Sequence, residues 1–167
     1  TSSGAISLSN IQTEFGGVNP ISLSEYYRNG AYVPPGATAI PTSGAIDISD
    51  FYGASNQFAF SITSDTANAD IRALAVTAGW DGATRLIANV NAGVTLYYGA
   101  SLAGSFPSGV SLVNSGNITG GGGGAGGGAG GTALNITTSD TVDITNNSGA
   151  FIAGGGGGGA GAAGGGG

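Results

Sequence analysis

Two stretches almost without side chains dominate this sequence: Gly120 to Gly131, broken only by Ala125 and Ala129, and Gly154 to Gly167, broken only by Ala160, Ala162 and Ala163. Such a stretch has no apolar face to bury, and each glycine costs a helix about 1 kcal/mol relative to alanine. Two conformations remain. One is a flexible coil, but linkers of that kind usually mix serine or charge with glycine, and these runs vary only by alanine. The other is a bundle of extended left-handed helices with three residues per turn, whose backbone amides and carbonyls satisfy one another. Each run of about 12 residues would then span about 37 Å at roughly 3.1 Å per residue. The ordered bundle is favoured because apolar segments alternate with the runs and need something to pack on. On that reading a valine at Gly126 destabilises a packed helix and leaves a linker unaffected.

Between the runs, Leu134, Ile136, Val142, Ile144, Phe151 and Ile152 form two short apolar stretches split by Thr138-Ser139-Asp140-Thr141, which predicts strand, turn, strand. Upstream, Phe58, Phe60 and Ile62 alternate as on a half-buried strand. The period then changes: Ile71, Leu74, Ala75 and Ala78 predict a helix over 70–78, starting near Asn68 or Asp70 and closed by Gly79. Strands are predicted over 85–90 and 94–98, with Asn91-Ala92-Gly93 as a hairpin-like break, and again over 110–113. Trp80 reads as a packing anchor.

The first 54 residues carry an internal repeat. Ser3-Gly4-Ala5-Ile6-Ser7-Leu8-Ser9-Asn10 returns as Ser43-Gly44-Ala45-Ile46-Asp47-Ile48-Ser49-Asp50, and Ile21 to Tyr27 echoes Ile46 to Tyr52. Ser9 with Gln12, and Ser22 with Glu25, have capping-box spacing, and Gly16-Gly17 and Asn29-Gly30 stop the helical turns. Val33-Pro34-Pro35-Gly36 predicts an extended connector. Tyr26, Tyr27, Phe51 and Tyr52 supply the bulk of this small module, either against a partner surface or as a mini-core of its own.

Charge and residue choice exclude much chemistry. The chain has no cysteine, histidine or lysine, three arginines (Arg28, Arg72, Arg85) and a net charge of -6, so it offers no basic patch for phosphates and lacks the commonest metal ligands and general base. No metal, cofactor, nucleic-acid or catalytic role is expected. Glu14, Glu25, Asp50 and Asp70 sit at helix starts, where capping explains them better than a glycosidase pair. Asp140 and Asp143 lack the oxygen density of a calcium loop, and Gly120 to Gly124 is followed by no lysine as a phosphate loop requires. No stretch is apolar enough to span a membrane, and the N-terminus lacks a basic-then-apolar leader pattern.

Several stretches together resemble a family of phage tail proteins: Ser3 to Ile6, Ile11-Gln12-Thr13-Glu14-Phe15-Gly16-Gly17, Asn19-Pro20-Ile21-Ser22-Leu23-Ser24-Glu25-Tyr26-Tyr27, Asp70 to Ala75, Ala78 to Gly82, Gly104 to Gly109 and Gly116 to Gly120. The glycine-rich end is similar in kind to the adhesins at the tips of T4-like long tail fibres. The resemblance implies polyglycine helices displaying receptor-binding loops. This chain departs from the pattern in having only two runs, which implies that several copies, or a neighbouring protein, complete the bundle.

The expected fold is mainly β with short helices, in three parts: an attachment module over 1–54, a compact, mostly β domain with one helix over 55–118, and a glycine-rich domain over 119–167. The expected role is a non-enzymatic virion structural protein of a tail fibre or tail tip, working with other virion proteins as a homo-oligomer. A host glycan or outer-membrane protein would be its receptor. The candidate contact residues are Tyr97, Tyr98, Asn114, Ser115, Asn146, Asn147 and Ser148, where aromatic and amide groups suit glycans. A decoration protein of capsid or tail tube is the alternative. An ice-binding polyglycine protein is a further one, disfavoured because Ala125 and Ala129 do not keep a three-residue period.

Overall fold

A computed structural model describes residues 4–159. Ser3 of the repeat and the second glycine run beyond Gly159, with its three alanines, lie outside the described residues. The chain is mainly β, with helices α1 (Leu8–Phe15) and α2 (Ile71–Thr77). Nine strands follow α1: β1 (Gln57–Ile62), β2 (Thr66–Asp70), β3 (Arg85–Val90), β4 (Thr95–Leu102), β5 (Val110–Asn114), β6 (Asn117–Thr119), β7 (Leu134–Ile136), β8 (Val142–Asn146) and β9 (Phe151–Ala153).

Every strand pairing is parallel. One sheet runs β1-β3-β5-β8 and the other β2-β4-β6-β9, with β7 beside the far half of β4. Successive turns of the chain therefore lay strand in each sheet, as in a solenoid, the third turn placing both β6 and β7 in the second sheet. Alternation aims one set of side chains inward, and the register stacks them: Phe58, Leu86, Val110 and Val142 in one row, and Phe60, Ala88, Leu112 and Ile144 in the next. Thr66, Leu96, Ile118 and Ile152 face them from the second sheet.

This winding corrects the expected hairpins. Asn91-Ala92-Gly93 is a corner where the chain leaves one sheet for the other; β3 pairs with β1 and β5, never with β4. Likewise β7 and β8 go to different sheets, so the turn at 138–141 closes no hairpin. Strand neighbours come from adjacent windings, and backbone groups on both sides of β3 are satisfied there. The core runs from Phe58 to Ala133 and takes in Leu134, Val142 and Ile152, so strands before and after the first glycine run share one interior. Trp80 is buried and stacks on Phe106 at 5.6 Å while its ring nitrogen donates to the Thr84 carbonyl.

The first residues build a separate cluster around Phe15, Tyr26, Ile40 and Phe51, with Tyr26 wholly buried. These aromatics form a mini-core of their own. Phe15 and Tyr26 each meet Phe51 edge-on, at 6.1 and 6.2 Å. The cap of α1 lies two residues earlier than expected: Ser7 is the N-cap, with reciprocal bonds to Asn10. Its repeat counterpart Asp47 donates its amide to Asp50, so the repeat encodes one start motif twice. Ser22 caps only a single short turn, without a side-chain bond. The repeat also closes on itself, since the Tyr52 hydroxyl donates to the Gly4 carbonyl and the Tyr27 hydroxyl to that of Gly44.

Candidate functional site

The glycine segments continue the strands of the second sheet. From β6 the chain runs outward as a first leg from Gly120, reverses at Gly126 and Gly127, which take left-handed φ of 92° and 87°, and returns as a second leg over 128–131. A third leg, 154–159, leaves β9 in the next winding. Amides of Gly120, Gly123 and Gly126 donate to carbonyls of Ala153, Gly156 and Gly159. Gly155 and Gly158 donate to Gly131 and Gly128, and Gly128 and Gly131 donate to Gly124 and Gly121. Each leg thus donates to the next around a closed triangle, at every third residue. Three residues per turn is the period of a polyproline II-type helix. A Cβ added at Gly120, Gly123, Gly130, Gly155 or Gly158 would fall on backbone of a neighbouring leg, so glycine is required there by close approach. The first run is therefore two legs joined by a turn, not one helix of 37 Å.

Beside this triangle lies an exposed aromatic pair. Tyr97 and Tyr98 are 40% and 62% exposed, with ring centroids 5.2 Å apart. Alternation along a strand would bury one of two neighbours. A bulge prevents it: Ala67 pairs with Tyr97 and Ala69 with Ala100, so Asn68 stands opposite both Tyr98 and Gly99. Tyr98 at φ 61° and Asn68 at φ 47° are both left-handed, and Gly99, at φ 96°, packs so closely on the Thr132 carbonyl that a Cβ would meet it at 2.7 Å. The Tyr98 ring covers Gly121 of the first leg. Tyr97 and Tyr98 therefore sit within β4, not in a loop.

The other expected contact residues gather at a different corner, between β5 and β6 and between β8 and β9. Asn114 is fully buried and leaves the contact set: its amide donates to Asn146 and to the Phe151 carbonyl, and its oxygen accepts from the Gly116 amide. Stacked corners of successive windings need such a ladder because the turning backbone exposes polar groups to the core. Ser115 accepts from the Asn147 side chain, and Asn146 donates to the Ala150 carbonyl. Asn146, Asn147 and Ser148 are exposed, and Ser115 is half-buried.

Acidic side chains are engaged locally. Asp140 accepts from Thr138, Ser105 and the Phe106 amide, and Asp143 pairs with Arg85. Burial pushes the Asp81 carboxyl up, but hydrogen bonds from the Ala83 and Thr84 amides and the Thr84 hydroxyl outweigh it and hold the carboxyl below its ordinary range. Among the described residues no helix is long and apolar enough to cross a membrane, and no acidic group gathers in a metal-binding cluster.

Comparison with curated proteins, and with solved structures, finds no match. A family model described as phage tail fibre adhesin Gp38 matches residues 57–167, which begins at β1 and takes in both sheets, the exposed tyrosines and the glycine legs. That is more than half of the chain. Its place is accordingly the tail fibre of a phage virion, and the chain belongs to the phage tail fibre adhesin Gp38 family.

Proposed function

We propose that this chain is a non-enzymatic adhesin subunit in which the solenoid is a rigid platform, the glycine legs form a polyglycine bundle of fixed geometry, and the Tyr97–Tyr98 face makes contact with the host surface. The observation that carries the reading is the bulge in β4, which turns two neighbouring tyrosines outward together. Exposed aromatic pairs on a stiff support bind well because little side-chain entropy is lost on contact. Residues 1–54, with their own core, serve as the attachment module to another virion protein, and self-association of the chain belongs to the same reading.

The test is competition for adsorption. Purified chain, incubated with host bacteria, should slow phage adsorption, and the variant Tyr97→Ala/Tyr98→Ala should lose most of that effect while keeping its melting temperature. Equal competition by the variant would move the contact away from this face. Light scattering of the full chain reads self-association directly, and a monomer at micromolar concentration would remove that part.

A further inference from the structure

The cleft beside Tyr98 carries more than an aromatic wall. It has a volume of about 190 Å³, and its lining includes Asn68, Tyr98, Gly99, Ser101, Thr132 and Asn135. Register explains the convergence: Ser101 pairs with Asp70 on one side and Asn135 on the other, so their side chains share the outer face of the sheet. The bulge adds Asn68 and Tyr98 from the rim, and the second glycine leg delivers Thr132.

We infer that this cleft is a subsite for one neutral sugar ring of a surface glycan, an inference that rests on the adhesive reading above. A pyranose has an apolar face of C–H groups and a rim of hydroxyls. The Tyr98 ring suits the first, while the two carboxamides and two hydroxyls of Asn68, Asn135, Ser101 and Thr132 supply donors and acceptors for the second. None of these four side chains bonds to another described residue, in contrast to the engaged amides of Asn114 and Asn146. None of the three arginines lines the cleft, and no lysine exists, so an anionic sugar would find no counter-charge. Left-handed backbone is strained at a non-glycine residue, more so at Tyr98 than at Asn68 because asparagine tolerates that region. That strain persists at the two residues that bring an amide and a ring to one rim.

Strain also makes the test discriminating. Glycine adopts the left-handed region freely, so Tyr98→Gly and Asn68→Gly should hold or raise the melting temperature while deleting a contact. The probes are the methyl α-pyranosides of glucose, galactose and mannose, followed by saturation-transfer NMR and by amide shifts of the full-length chain. At least one should perturb Asn68, Tyr98 and Asn135 with a millimolar Kd, weakened tenfold or more in either variant. Failure of all three probes to perturb these residues, or wild-type binding by Tyr98→Gly, overturns the inference. Stronger binding by N-acetylneuraminic acid than by the neutral sugars overturns the neutral class. Competition by host lipopolysaccharide oligosaccharide against capsular polysaccharide tells which source supplies the ring. If no sugar binds but the chain still blocks adsorption in a Tyr97-dependent way, the sugar subsite fails and the adhesin reading stands, with a protein receptor.

Discussion

A methyl group added at Gly123 would fall on the Gly128 carbonyl oxygen, whereas at Gly122 it would meet nothing within 4 Å. The two substitutions should therefore separate cleanly. Gly123→Ala and Gly155→Ala should each destabilise by about 1–3 kcal/mol, the ordinary cost of overpacking, while Gly122→Ala and Gly156→Ala should be neutral or slightly stabilising. Denaturant titration of the four variants checks this. Gly126, in contrast, lies at the reversal with positive φ and open space around it. Valine there is strained by backbone conformation whatever the packing of the legs, so that substitution does not distinguish bundle from linker. At Asp81 the carboxyl is held below its ordinary range, so its charged form is favoured by folding. The stability it contributes is present above the unfolded value near 3.9 and is lost as pH falls through the lower folded value. Asp81→Asn should thus reduce stability at pH 7 and flatten the fall in melting temperature as the pH drops below the unfolded carboxyl value.

Individual elements were legible where their own periodicity decides them. Arg85 to Val90 alternates and is β3 to the residue; Ile71, Leu74 and Ala75 mark α2, with Asp70 accepting from the Ala73 amide as its cap. Pairing was not legible, because Asn91-Ala92-Gly93 looks the same at a hairpin and at a solenoid corner. Short β6 and polar β2 escaped notice since Thr66-Ala67-Asn68-Ala69-Asp70 has little apolar content. The Asn68–Tyr98 bulge and its cleft left no signal, as left-handed φ at a tyrosine is set by tertiary register. Nor does an asparagine in an exposed-looking Asn-Ser pair announce burial, and Asn114 is the case in point. Replacing it with leucine leaves the Gly116 amide and Phe151 carbonyl short of a partner. Asn114→Leu should cost about 1–3 kcal/mol, the penalty for an orphaned buried polar group, and equilibrium unfolding measures it.

Across the whole molecule, glycine legs and sheets are one continuous winding. Gly120 follows β6 directly and Gly154 follows β9, while Ala133, Leu134 and Ile152 return to the core between and beside the legs. Cutting the chain before Gly120 therefore removes a share of the interior with the legs, and the shortened chain should melt well below the full one. Composition alone leads one to expect two extended runs; among the described residues the first run instead folds back, giving three legs. With three legs the ring closes: each donates to one neighbour and accepts from the other. Amide hydrogen exchange by NMR tests this ordered triangle most directly. Protection should recur at every third residue, at Gly120 and Gly123, at Gly128 and Gly131, and at Gly155 and Gly158, with fast exchange at Gly122 and Gly157. Uniformly fast exchange through all three legs, as in a free coil, would contradict the account.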